Sequence, residues 1–209
     1  MKNQKDLGYF FDEHTTGTTI EFLHFDDYEG AINYKREAET NLLHKLIHKL
    51  GFDILREKKG LIYDLSASIS MSYSASNAVD GINFVTENKK IKEMLEAIDK
   101  LIYKDLEHFI KSEDGTRWLE HVLSKFIYPT TISYNSDLAN SIATTYFETG
   151  ELYNYNKYVE EAKKITKERI IELIHEFQNI PPHIWVESNL PKKEVEKVVK
   201  ESTLWKRFK

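Results

Sequence analysis

Leu55-Arg56-Glu57-Lys58-Lys59-Gly60-Leu61-Ile62-Tyr63 marks a change of period in this chain. Before it, Leu43, Leu46, Ile47 and Leu50 recur at helical spacing. After it, Leu61, Tyr63, Leu65, Ala67, Ile69, Met71 and Tyr73 alternate with Asp64, Ser66, Ser68, Ser70 and Ser72. A period near 3.6 gathers side chains on one face of a helix, and a period of two gathers them on one face of a strand. The nine residues therefore read as a helix end carrying Arg56, a turn at Gly60 and the opening of a long strand at Tyr63. Strict alternation assigns Tyr63 to the apolar face with Leu65. The opposite face is almost entirely serine, which suits either a solvated outer surface or a polar chamber with room for an extended peptide.

Working outward, residues 18–25 are β-branched and aromatic and predict a first strand. Asp26 and Asp27 offer a cap for a helix over 29–50, stopped by Gly51, and a short helix over 53–57 delivers Arg56. Beyond the long strand, a turn at 74–77 leads to its antiparallel partner over 79–86. Ile91, Leu95, Ile98, Ile102, Leu106 and Phe109 hold helical period across 88–110. Further helices are expected over 116–128, ended by Pro129, over 137–147, over 157–164 and over 166–177 with Thr166 as N-cap. Pro181-Pro182 breaks the last of these. A strand follows over 183–187, and Pro191 starts a charged helix in the tail, 191–209. This order predicts one α+β domain over 1–209. Its architecture is a two-layer sandwich, an antiparallel or mixed sheet of about four strands with helices on one face.

The 209 residues include 41% hydrophobic side chains with 12 Tyr and 11 Phe, enough for a sizeable core. A net charge of −5, from 29 basic against 34 acidic residues, gives no electrostatic reason to expect nucleic acid as a partner. No apolar run approaches the roughly 20 residues that span a bilayer, so no membrane partner is expected. The absence of Cys excludes disulfides, thiolate catalysis and thiolate metal sites. A Cys-free chain suits either side of a membrane, and the cytoplasm is the default location.

Two histidines one helical turn apart can share a metal ion, and a neighbouring carboxylate can activate the bound water. His44-Lys45-Leu46-Ile47-His48 has the histidine spacing but carries Ile47 where the base of an H-x-x-E-H helix would stand. The two imidazoles are expected as partly solvated residues flanking the apolar face. His14, His24, His108, His121, His175 and His183 form no ligand pattern with them in sequence. No metal ligand, no catalytic residue and no cofactor is assigned to this chain. No phosphate-binding loop, nucleophile elbow or dinucleotide fingerprint occurs either.

The wording "LREKKGLIY" at a helix-to-strand junction resembles the second, non-metal half of pitrilysin/insulinase-type zinc peptidases. In that family an Arg and a Tyr at this spacing hold the substrate backbone near the metal. The resemblance implies a processing-peptidase-like half in which Arg56 and Tyr63 contact a peptide substrate. Zinc would be carried by a separate homologous half or subunit, and the two halves would close around the peptide. The chain alone would then be inactive. Some relatives have lost the metal and act as scaffold or assembly subunits, which is the alternative. Guanidinium and phenol donors suit the first role, because attack on a peptide carbonyl develops negative charge on its oxygen.

Overall fold

Five extended segments form one mixed sheet, and the helices pack on its apolar face. The computed structural model describes residues 5–27, 32–72, 77–125, 139, 142, 143, 145–147 and 149–208. The strands are β1 (Asp6–Phe11), β2 (Thr18–Asp27), β3 (Asp64–Ser72), β4 (Asn77–Thr86) and β5 (His183–Ser188). Their spatial order is β1-β5-β2-β4-β3. The β1–β5 pair is parallel and the other pairs are antiparallel.

Five strands replace the expected four. The sequence hides β1 because Gly8 and Asp6 dilute its alternation and because it pairs only with β5, at the sheet edge. Gly8 is required there: a Cβ would stand 2.1 Å from the Trp185 ring, which lies against it.

Helix α1 (Tyr34–Gly51) begins later than expected. Its cap is Asn33, whose side chain accepts from the Arg36 amide at 2.9 Å. Asp26 and Asp27 instead extend β2, because β4 pairs along its whole length as far as Asn77. Residues 28–31 lie outside the described part. Gly51 does not stop the helix. It keeps helical angles, and the chain continues into a wider π-type turn over Phe52–Lys58. The absence of a Cβ matters for packing, since one would meet Leu65 Cδ2 at 2.5 Å where α1 crosses β3.

The long helical pattern over 88–110 is present in segments: a 3₁₀ turn (Asn88–Lys90), α2 (Ile91–Lys100), a π-type turn (Leu101–Asp105) and α3 (Leu106–Lys111). Then come α4 (Glu113–Lys125), α5 (Tyr155–Lys163) and α6 (Lys167–Asn179), the last capped by Thr166 as expected. Of the turn expected at 74–77, Asn77 already belongs to β4 and the rest lies outside the described residues, as do the helix end at 126–128 and most of the helix over 137–147. The tail is two helices rather than one, α7 (Lys192–Glu201) and α8 (Thr203–Arg207), divided at Ser202. It is also anchored, with Val195, Val199 and Leu204 buried.

Ile20, Phe22, Ile82, Phe84, Ile184 and Val186 turn one sheet face into the core against Leu42, Leu46 and Ile47 of α1 and Ile98 of α2. Each such side chain contributes about 1.5–3 kcal/mol when fully buried, so this layer dominates stability. On the other sheet face Trp185 and Phe10 are exposed. No described helix is long and apolar enough to cross a membrane.

Candidate functional site

The junction between α1 and β3 is built by backbone hydrogen bonds that wrap the chain around Gly60. The Gly60 amide donates to the Arg56 carbonyl at 2.9 Å, and Leu61 N donates to Leu55 O at 2.7 Å. Gly60 has φ +58°, the left-handed region in which a glycine carries no steric penalty. The turn then departs from strict alternation. Leu61 and Ile62 are both buried, Tyr63 is 57% exposed, and regular strand structure begins only at Asp64. Tyr63 therefore does not share the apolar face with Leu65. Two consecutive residues enter the core before the pleat starts, and this irregular start turns the phenol outward.

The end of β4 and the 3₁₀ turn behind it fasten the junction. Tyr63 N donates to Val85 O at 2.7 Å, and Thr86 Oγ1 donates to Leu61 O at 2.6 Å. Lys90 Nζ bridges the Gly60 carbonyl at 3.0 Å and Glu87 Oε1 at 2.7 Å, while Lys89 reaches the other Glu87 oxygen at 2.8 Å. The Tyr63 phenol donates to Glu87 as well, which raises its pKa above the usual tyrosine value. Lys89 and Lys90, with Tyr63, hold the Glu87 carboxyl down at about 2. At neutral pH the phenol is thus protonated beside a carboxylate already satisfied by two cations. Such a phenol can keep its hydrogen on Glu87 and accept a peptide N–H, or redirect it to a carbonyl oxygen.

Arg56 is exposed at the helical end of the same turn. Its guanidinium lies 4.9 Å from the centre of the Phe52 ring, and Phe52 stacks on His48 at 6.3 Å. Arg56 and Tyr63 are thus both presented to solvent from one junction, through different partners. The sequence reading missed Glu87, Lys89 and Lys90. Extending the β3–β4 register beyond Asp64↔Val85 would have brought this end of β4 to the turn.

His44 and His48 part company. His48 is exposed, whereas His44 is buried, contrary to the expectation that both flank the apolar face. Burial, helped by the charge of Arg36, lowers the His44 pKa to about 4. His24 is pushed to about 3 by burial and by the nearby His44 and His183, and its ring packs against Phe177 at 4.4 Å. Among the described residues no group of three His, Cys, Asp or Glu side chains is placed to hold a metal ion.

Neither a family model nor a curated protein matches the sequence. Solved structures match the shape. The periplasmic protease PqqL from Escherichia coli superimposes with a TM-score of 0.59 at 16% identity, over 90% of this chain and 21% of that one. An insulinase family protease from Yersinia pestis gives 0.62 at 8% identity, over 98% of this chain and 46% of that one. This chain has the fold of insulinase-type proteases. A peptidase M16 inactive domain from Pseudomonas fluorescens shares that insulinase-type fold, with a TM-score of 0.64 at 14% identity over 90% of this chain and 44% of the other. The chain thus spans less than half the length of these insulinase-type neighbours.

Proposed function

We propose that this chain, residues 1–209 as one α+β unit, is the substrate-holding half of a zinc-dependent endopeptidase. Its Arg56 and Tyr63 would bind the peptide backbone, and a homologous half carrying an H-x-x-E-H helix would supply zinc and the attacking water. The observation that carries this reading is the joint exposure of both side chains at a junction fastened by the β4 end. The insulinase-type fold, at about half the length of the Yersinia pestis protease, supports a companion half. The cytoplasm is the proposed location.

The test is reconstitution. The chain alone should bind no stoichiometric zinc and cleave nothing, and mixing with a zinc-bearing half should give peptide cleavage. In the mixture, Arg56→Ala or Tyr63→Phe should lower kcat by on the order of 10²–10³, the usual effect of losing one donor to a developing oxyanion. Wild-type turnover by both variants would refute the assigned roles.

A non-catalytic scaffold is the second reading, favoured by the likeness to a domain described as inactive. Complex formation with the zinc half, unaltered by either substitution and without cleavage, would support it.

A further inference from the structure

None of the five strands contains a Lys or Arg; the cations of the described chain all lie on helices and connections. The sheet face turned from the core nevertheless carries carboxylates. With Ile20, Phe22 and His24 turned to the core, the register aligns Gly8, Trp185, Glu21, Asn83 and Ser66 in one row across the other face. Phe10, Glu187, Thr19, Val85 and Asp64 form the next. Trp185 is 44% exposed and Phe10 54%. Asp64 is exposed, and Glu21 and Glu187 are partly so.

On the helical side, carboxylates are neutralised by neighbours, as in Glu39–Arg169, Asp99–Arg207 and Glu107–Lys111. Glu21, Asp64 and Glu187 form no ion pair with any described residue. Trp185 and Phe10 stand at the β1–β5 end beside Glu21 and Glu187, with Asp64 at the far β3 edge, and this arrangement is complementary to a segment carrying both cations and apolar side chains. Trp185 can also take a Lys or Arg head over its ring face.

We propose that this sheet face docks a basic peptide segment, with Lys or Arg heads on Glu21, Glu187 and Asp64 and an apolar side chain against Trp185 and Phe10. Asp64 directly follows Tyr63, so a peptide on this face extends to the junction. The proposal adds a substrate class to the substrate-holding reading and rests on that reading only for the link to cleavage.

The experiment measures binding of the 209-residue chain to a fluorescently labelled peptide of alternating Lys and Leu, against its Glu-for-Lys counterpart. Anisotropy at low salt should show the Lys peptide binding at least about tenfold tighter, with the difference shrinking at high salt as screening grows. Glu21→Gln and Glu187→Gln should each weaken it by roughly two- to fivefold, the size expected for partly exposed ion pairs. Trp185→Ala should weaken it too. Should that variant unfold, as read by circular dichroism, the two Glu→Gln changes carry the test. Equal binding of the two peptides, no binding of either, or indifference to the paired Glu→Gln variant would overturn the proposal. So would self-association through Trp185, which would assign the face to a second copy. Arg56→Ala should keep the charge preference, so loss of cleavage without loss of preference concerns the substrate-holding role alone.

Discussion

At Gly60 the backbone turns through φ +58° with nothing within 4 Å of where a Cβ would stand. A side chain there meets no neighbour, so its cost is conformational alone. Gly60→Ala should therefore lose about 1 kcal/mol of unfolding free energy, measured by urea denaturation, and Gly60→Asn should lose less because Asn tolerates this region better. An Ala variant as stable as the wild type would show that the turn relaxes to negative φ. Gly60 and Arg56 were legible from the change of period, because a glycine between a helical and an alternating pattern has few other roles. The direction of Tyr63 was not. Alternation alone placed it with Leu65, and only the burial of both Leu61 and Ile62 reverses it.

Between elements, Arg169 ties α6 to α1, beside a longer Arg36–Glu176 pair at 4.0 Å. Arg169 donates through Nε and Nη2 to the two oxygens of Glu39, at 2.8 and 2.9 Å, and also reaches Glu172 and Glu176. The Glu39 side chain is only 4% exposed, while that of Arg169 is 27% exposed. Removing the cation leaves this buried carboxylate only the exposed Lys35 ammonium, 3.9 Å away, so Arg169→Met should lower stability by roughly 2–4 kcal/mol, below the full cost for wholly buried pairs because Arg169 meets solvent and Lys35 remains. The double variant Glu39→Leu with Arg169→Met should recover most of the loss, since no unpaired charge remains. Chemical denaturation of the three variants checks this, and an unaffected single variant would show that Glu39 finds water. Local sequence signalled α6 well, through Thr166 as its cap. It said nothing of Glu39 pairing 130 residues away, because ion pairing across helices depends on which faces meet.

Across the whole molecule, His24 and His44 make stability depend on pH. The unfolded chain protonates an imidazole near pH 6.5, whereas the fold resists until about 3 for His24 and about 4 for His44. Between about pH 6.5 and 4 the unfolded state thus binds more protons, and stability falls as pH falls. The slope is up to about 1.4 kcal/mol per pH unit for each imidazole. Glu37, whose carboxyl is raised by burial, works in the opposite sense. Urea midpoints should therefore drop steeply from pH 7 toward pH 4.5, and His24→Leu should flatten the drop. Unchanged midpoints would mean that one or both rings take up protons without opening the fold.

By itself the sequence determined the α+β class, the helical and strand periods, the Arg56–Gly60–Tyr63 junction and the Thr166 cap. Each of these depends on neighbours a few residues apart, where backbone geometry dictates spacing. Tertiary structure decided the rest: the fifth strand, the passage of α1 through Gly51 against Leu65, and the burial of His44. It also decided the outward turn of Tyr63 and the clustering of Glu87, Lys89 and Lys90 beneath it. Those features arise from pairing and packing between segments far apart in the chain, where register and close approach, rather than local preference, choose which side chain faces water.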